Sequence, residues 1–111
     1  MVDKQKAQDE IRQITELIKQ TVPVERIYLF GSHVYGEPHA HSDYDFFVVL
    51  PDGGMRAREA TRLVRRAIAF TPLMTPFDML AAHMNHFDEM KNYNTLERKV
   101  ARDGRLLYER A

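Results

Sequence analysis

Three aspartates stand in or beside apolar stretches of the sequence, where a purely structural role would not place a carboxylate. Asp43 and Asp45 are two positions apart at the start of a predicted strand, so their side chains project from one face, roughly 7 Å apart. Asp78 lies between Phe77 and Met79 in a second apolar segment. A carboxylate next to a core is costly unless it is paired or binds a cation. If neighbouring strands bring the three together, they form a hard-oxygen site suited to Mg²⁺, with water and phosphate oxygens as the remaining ligands.

The segment before these aspartates has features of an anion-binding loop. Gly31-Ser32 directly follows a predicted strand, so backbone N–H groups and one hydroxyl can face an anion with no Cβ in the way. A triphosphate beside carboxylate-held metal ions is the usual arrangement for in-line phosphoryl transfer, with the two ions roughly 3.5–4 Å apart. The sequence contains neither a Gly-rich P-loop ending in Lys-Ser/Thr nor a GxGxxG motif, so Walker ATPase and Rossmann sites do not compete with this interpretation.

The sequence resembles the signature of the polymerase-β-type nucleotidyltransferase superfamily in the pattern Gly31-Ser32-x3-Gly36-x5-Ser42-Asp43-x-Asp45, followed by Phe46-Phe47-Val48-Val49. Within that superfamily it is most similar to the minimal nucleotidyltransferase (MNT) group, small proteins that often act as antitoxins for HEPN-domain toxins. The resemblance covers most of the chain. It implies the nucleotidyltransferase fold and ATP-dependent transfer of a nucleoside monophosphate to a hydroxyl group, with release of pyrophosphate.

The resemblance also implies roles for individual residues. By position, Asp43 and Asp45 would hold two Mg²⁺ ions, and Asp78 would complete the metal site near the attacking hydroxyl group. Gly31 and Ser32 would bind the β- and γ-phosphates of ATP.

The sequence departs from many relatives at His33 and Tyr35, where an arginine often contacts the triphosphate. Histidine is mostly uncharged at neutral pH and tyrosine is uncharged, so either nucleotide binding is weaker here or another residue supplies the charge. Two other functions stay open, the first of them because of this difference at His33 and Tyr35. One is an antitoxin with an idle active site that acts by binding alone, and the other is a small-molecule nucleotidyltransferase of the aminoglycoside-modifying type.

Hydrophobic periodicity predicts the elements that position these residues, and indicates an α+β fold in which helices cover a small mixed sheet, in the order α-β-β-α-β-α-β. The predicted helices span 3–21, 56–70 and, as one or two helices, 83–103, with Gly104 as a left-handed cap. The predicted strands are 24–30, 43–50, 77–81 and 105–108, and residues 31–42 form an ordered loop with room for one helical turn.

Composition narrows the class of protein further. The 111 residues predict a single domain over 1–111, and 44% hydrophobic with 29% charged residues is ordinary globular usage. The absence of cysteine excludes disulfides, zinc fingers, iron–sulfur ligation and thiol catalysis. Sixteen basic residues balance sixteen acidic ones, which argues against nucleic-acid binding through bulk charge. With a charged N-terminus and no long apolar run, we expect a cytoplasmic protein without membrane contact.

Histidines offer a competing metal interpretation. His39 and His41 are two apart beside the first aspartates, which permits a zinc site, but loop histidines are more often solvated. His83 and His86 lie about one helical turn apart, where a surface or partner-facing role is favoured over a metal.

The expected partner follows from what the site lacks. An acceptor hydroxyl must be held in line with the α-phosphate, and larger relatives do this with an appended helical domain, for which only three residues remain after Tyr108. We therefore expect the acceptor to arrive on another protein, which the resemblance identifies as a HEPN ribonuclease toxin with a modifiable tyrosine or other hydroxyl. The predicted helix 56–70 carries an arginine face that is either solvated or a docking surface: Arg58, Arg62, Arg65 and Arg66.

Overall fold

The computed structural model describes residues 4–36 and 43–111. The predicted α+β class is confirmed, and the segment 83–103 forms two helices. The elements are α1 (Lys4–Thr21), β1 (Arg26–Phe30), a short 3₁₀ turn (Gly31–His33), β2 (Tyr44–Leu50), α2 (Ala57–Ala69), β3 (Phe77–His83), α3 (Met84–Met90), α4 (Leu96–Asp103) and β4 (Arg105–Glu109).

The four strands form one mixed sheet in the order β3-β2-β1-β4. β1 runs antiparallel to both β2 and β4, whereas β2 and β3 are parallel and are connected through α2. Because the pair is parallel, β2 and β3 begin at the same end of the sheet. The 3₁₀ turn follows β1 at that end, since β1 runs in the opposite direction to β2.

Helices cover both faces of the sheet. On one face, α1 and α2 bury Ile14, Ile18, Phe46, Val48 and Val64; on the other, α3 and α4 bury Phe47, Val49, Phe87 and Val100. A strand that is buried on both faces has no solvent side, which explains the unbroken apolar run 46–50. Phe47 and Val49 lie on the same face of β2 as Asp45, so this face is buried along the rest of the strand.

The prediction of a left-handed cap at Gly104 is wrong. This residue has φ −70° and ψ 163°, an extended conformation, and its N–H donates to the carbonyl of Val100 at 2.9 Å. A β-carbon here would lie 3.2 Å from the carbonyl oxygen of Leu29 and still closer to that of Val100. Glycine is needed because the carbonyl groups of Val100 in α4 and Leu29 on β1 leave no room for a β-carbon, not because the backbone requires a positive φ.

Charged residues lie along the outer surface of the helices, as in α1, where Lys19 pairs with Glu16 at 3.1 Å.

Across residues 4–36 and 43–111, we find no helix with the combination of length and apolar character needed to cross a bilayer.

Candidate active site

The register of the parallel strands places Asp45 and Asp78 side by side. Asp45 is the direct partner of Asp78 in the β2–β3 ladder and of Phe30 in the β1–β2 ladder. Adjacent strands lie about 4.8 Å apart, so the two side chains start from neighbouring positions at one end of the sheet. Asp43 is exposed and immediately precedes β2. The structure therefore brings the predicted acidic residues to the same end of the sheet.

The carboxylate of Asp45 lies in an unfavourable electrostatic environment. Burial raises its pKa, the negative charges of Asp78 and Asp43 raise the pKa further, and His33 has the opposite effect. The charges of Asp43 and Asp78 thus both act on the Asp45 carboxylate. Oxygen donors that repel one another are the ligand set that a divalent cation such as Mg²⁺ favours, because the bound ion would remove the repulsion. The residues present therefore fit the metal that the sequence pattern implies.

Asp78 is held by a cation from the protein itself. Its Oδ1 accepts a hydrogen bond from Nη2 of Arg65 on α2 at 2.8 Å and a second one from the backbone N–H of Met79 at 3.0 Å. Within residues 4–36 and 43–111, no three His, Cys, Asp or Glu side chains are grouped closely enough to hold a metal ion as they stand. The three aspartates are neighbours, but closing a three-carboxylate site requires a side-chain rearrangement.

The turn after β1 is shaped around Asp45. Gly31 has φ +84°, a conformation that L side chains rarely adopt, and a β-carbon there would collide with the Asp45 carboxylate. The Gly31 carbonyl accepts the N–H groups of Val34 at 3.0 Å and Tyr35 at 2.9 Å. These two bonds close the turn that also contains Ser32. The Gly-Ser turn and the acidic residues are therefore parts of one local structure, as the motif predicts.

Tyr35 lies between the acidic residues and α4. The Lys99 ammonium group is 4.7 Å from the centre of the Tyr35 ring, a cation–π contact. Burial raises the pKa of Tyr35, and the charges of Asp103 and Asp45 add to the effect, while the nearby Gly31 backbone opposes it. The hydroxyl oxygen is buried and makes no well-formed hydrogen bond with the described residues. A cation from α4 thus lies beside the turn at a position where the sequence offers a neutral tyrosine.

A buried polar network supports the start of β2. Oε1 of Glu10, which is only 8% exposed, accepts hydrogen bonds from the Tyr44 hydroxyl at 2.7 Å and from the Thr75 hydroxyl at 2.8 Å. The His33 ring packs on Tyr44, with the ring centres 4.7 Å apart. The backbone N–H of Tyr44 also donates to the carbonyl of Pro76 at 3.1 Å, so Tyr44 is held from α1, from the segment before β3 and from the Gly-Ser turn.

Sequence reasoning did not identify Arg65, Lys99 or Glu10 as parts of this region. Glu10 gave a detectable signal, because it lies within the apolar stripe of α1, three residues after Ala7 and four before Ile14. Arg65 belongs to the arginine face of the predicted helix 56–70, and Lys99 has the spacing of an ordinary solvated helix residue, so neither pattern points to the acidic residues.

The remaining predicted residues do not extend the site. His39, His41 and Ser42 lie outside the described residues. The ring of His83 is within hydrogen-bond distance of the Met55 carbonyl oxygen at 2.8 Å, and that of His86 lies 3.7 Å from Glu97. Each of these two histidines therefore has a structural contact.

Comparison with known proteins agrees with this geometry. Residues 12–111 match the family model described as polymerase beta, nucleotidyltransferase. The chain belongs to this family, and the resemblance seen in the sequence is confirmed. A search of curated proteins gives no match.

Solved structures show the same fold at low sequence identity. A presumed nucleotidyltransferase from Sulfolobus solfataricus aligns with a TM-score of 0.61 and 20% identity, over 90% of this chain and 78% of that chain. A mutant of the MntA–HpeT toxin–antitoxin complex aligns with a TM-score of 0.55 and 18% identity, over 89% of this chain and 73% of that chain. A toxin–antitoxin structure with AMP-PNP aligns with a TM-score of 0.52 and 20% identity, over the same fractions, 89% and 73%. The protein thus has a nucleotidyltransferase fold similar to that of a chain in toxin–antitoxin complexes.

Proposed function

We propose that this protein transfers AMP from ATP to a tyrosine or other hydroxyl group on a partner protein, with release of pyrophosphate, and that it thereby neutralises a HEPN-type ribonuclease toxin. The observation that carries the proposal is the meeting of Asp45 and Asp78 on paired strands, with Asp43 and the Gly31 turn beside them. Membership of the nucleotidyltransferase family supports the reaction class.

Each part of the site has a role in this reaction. Asp43 and Asp45 would hold two Mg²⁺ ions, and Asp78 would complete the metal site near the attacking hydroxyl. When bound, the metal ions neutralise the charge that develops on the transferred phosphoryl group. Gly31 and Ser32 bind the β- and γ-phosphates through a backbone N–H and a hydroxyl, and the absence of a side chain at residue 31 allows the backbone to approach them.

The partner is inferred from the structural neighbours. Two of them are toxin–antitoxin complexes, one described as MntA–HpeT and one as containing AMP-PNP, an ATP analogue. Because the sequence resembles the minimal nucleotidyltransferase group, we assign the partner to the HEPN class. AMP attached near an RNA-binding surface would add bulk and negative charge there, so ribonuclease activity would stay inhibited after the two proteins separate.

The experiment is incubation of the purified toxin with this protein, ATP and Mg²⁺, followed by removal of this protein, mass spectrometry of the toxin and an RNA-cleavage assay. We expect a mass increase of AMP on the toxin and loss of cleavage. Asp43→Asn and Asp45→Asn should abolish the mass increase, since each removes a metal ligand while keeping its shape. Asp9→Asn, at a partly exposed aspartate of α1, is the matched control and should leave the mass increase intact. An unmodified toxin that regains full cleavage would exclude the covalent mechanism.

A second candidate function is inhibition by contact, without catalysis. Two observations favour it: Tyr35 is neutral, and the three aspartates do not form a metal-ready group as they stand. Calorimetric titration with ATP and Mg²⁺ separates the two functions. Undetectable binding near millimolar ATP would support the contact mechanism, whereas saturable binding that Asp45→Asn removes would support the enzyme.

A further inference from the structure

The ion pair between Arg65 and Asp78 joins the outer surface of α2 to the acidic end of the sheet. The two side chains meet at 2.8 Å, with 52% of the Arg65 and 59% of the Asp78 side chain exposed. Arg65 therefore reaches Asp78 from the solvent-facing side of α2, and both the guanidinium group and the carboxylate are accessible to ions. The arginine face of this helix is not uniform, since one member contacts the site and the others do not, as far as the described residues show.

A guanidinium group on Asp78 competes directly with a metal ion at the same carboxylate. Oδ1 already accepts two N–H groups, one from Arg65 and one from the backbone of Met79. The positive charge of Arg65 also repels a divalent cation that approaches from the Asp45 side. Both effects oppose metal binding while the ion pair is in place. They are also consistent with the fact that no three acidic side chains are grouped for a metal in the described residues.

We propose that Arg65 is a positioning residue that occupies Asp78 in the absence of metal and must release it when a metal ion binds. This inference rests on the proposed function, because it requires that Asp78 belongs to the metal site. Arg65 thereby lowers the affinity of the free protein for divalent ions. Exposed ion pairs of this kind are weak, so the contact delays metal occupancy without preventing it.

The test is a titration with Mn²⁺ in the absence of nucleotide. Binding is measured by calorimetry and by the loss of the electron paramagnetic resonance signal of free Mn²⁺. Arg65→Gln removes the guanidinium and keeps a good helix former at an exposed position, so the fold is retained. Arg62→Gln removes the same charge one turn earlier on α2, where the described residues provide no ion-pair partner. We expect Arg65→Gln to tighten Mn²⁺ binding about two- to fivefold, the range of an exposed ion pair, and Arg62→Gln to change it by much less.

The same pair of substitutions in an Asp78→Asn background separates competition from a general charge effect. There the carboxylate that Arg65 occupies is gone, so Arg65→Gln and Arg62→Gln should have equal effects. An equal effect of the two arginine substitutions in the wild-type background, or weaker Mn²⁺ binding by Arg65→Gln, would overturn the proposal while leaving the metal site intact. Absence of any Mn²⁺ binding by the wild-type protein would instead overturn the metal site, and with it both proposals.

Discussion

Gly31 and Asp45 are in such close contact that a β-carbon at residue 31 cannot fit beside the Asp45 carboxylate. The two residues come from different elements: Gly31 begins the turn after β1, and Asp45 is the second residue of β2. The backbone of the turn therefore approaches the acidic side chain with nothing but hydrogen between them. In this position the glycine serves both the conformation of the turn and the access to the carboxylate.

The first prediction concerns Gly31→Ala, with Gly53→Ala as its matched control. Both glycines have positive φ, +84° and +75°, but a β-carbon at Gly53 would meet no atom within 4 Å. Gly53→Ala should lose only the free energy that a residue with a β-carbon pays for a positive φ, about 1–2 kcal/mol in the free energy of unfolding. Gly31→Ala should lose a further 1–3 kcal/mol or so from overpacking, and it should also weaken Mn²⁺ binding because Asp45 is displaced. Urea unfolding and Mn²⁺ titration measure the two effects; equal stability losses with unchanged Mn²⁺ affinity would contradict the prediction.

The second prediction is that Asp45→Asn stabilises the metal-free protein. The pKa of Asp45 is raised, first by burial and then by the charges of Asp78 and Asp43. A raised carboxyl pKa means that the folded state binds the proton more tightly than the unfolded state, so stability falls as pH rises through that pKa. Asparagine carries no negative charge that burial and the neighbouring aspartates could destabilise. The variant should therefore melt a few degrees higher than the wild type in EDTA at neutral pH, since about 1 kcal/mol moves Tm by roughly 4–8 °C in a small domain.

Two controls sharpen this measurement. The melting temperatures of wild type and Asp45→Asn should converge in acid, where the wild-type carboxyl is protonated. Asp9→Asn removes a partly exposed aspartate that pairs with Arg12 at 3.5 Å, and it should not raise the melting temperature. Added Mn²⁺ should stabilise the wild type and leave Asp45→Asn unchanged. A lower melting temperature for Asp45→Asn in EDTA would show that the repulsion is not significant.

Much of the fold and of the acidic site could be predicted from sequence because the relevant signals are local. The apolar run after Asp45 and the apolar residues around Asp78 mark two strands, and the parallel register then places the two aspartates in partner positions. The left-handed cap predicted at Gly104 failed because local sequence does not reveal which backbone passes nearby. The carbonyl oxygen of Val100, which lies closest, and that of Leu29 on β1 together exclude a side chain there.

The charged neighbours of the site could not be predicted for a related reason. Arg65 reaches Asp78, and Lys99 reaches Tyr35, through the way in which α2 and α4 lie against the sheet. On its own helix each residue has the pattern of a solvated surface position. Their roles depend on contacts distant in sequence, which periodicity and motifs do not encode.

The third prediction concerns the buried contact between Tyr44 and Glu10. Burial, followed by the hydrogen bond to Glu10 and its charge, raises the pKa of Tyr44 to about 12. The stabilising contribution is therefore fully present below the ordinary value of 10.0 and is lost as pH rises through about 12. Tyr44→Phe should lower the free energy of unfolding by about 1–2 kcal/mol at neutral pH. This is the lower part of the range for a buried polar group that loses a hydrogen-bond partner, because Thr75 still donates to Glu10.

The pH dependence distinguishes this contact from simple packing. The stability difference between wild type and Tyr44→Phe should narrow in alkaline solution, as the wild-type phenol ionises. Tyr93→Phe, at a side chain that is 58% exposed, is the control and should be nearly neutral throughout. Urea unfolding at several pH values provides the measurement. A difference that stays constant up to pH values of about 12 would mean that the hydroxyl does not contribute through its proton.

The last prediction is that Lys99 supplies the positive charge that the neutral Tyr35 lacks. Lys99 lies 4.7 Å above the Tyr35 ring, beside the turn proposed to bind the β- and γ-phosphates. Lys99→Gln should weaken ATP binding by about fivefold, equivalent to about 1 kcal/mol for an exposed charge, and should affect AMP less because AMP lacks those phosphates. Lys19 makes the same kind of contact with Tyr108, at 4.5 Å, so Lys19→Gln removes an equal charge from a comparable cation–π pair on α1. Calorimetric titration of both variants with ATP and AMP in the presence of Mg²⁺ measures the difference. If the two substitutions weaken ATP binding equally, or if Lys99→Gln weakens ATP and AMP to the same extent, the charge beside Tyr35 does not act on the triphosphate.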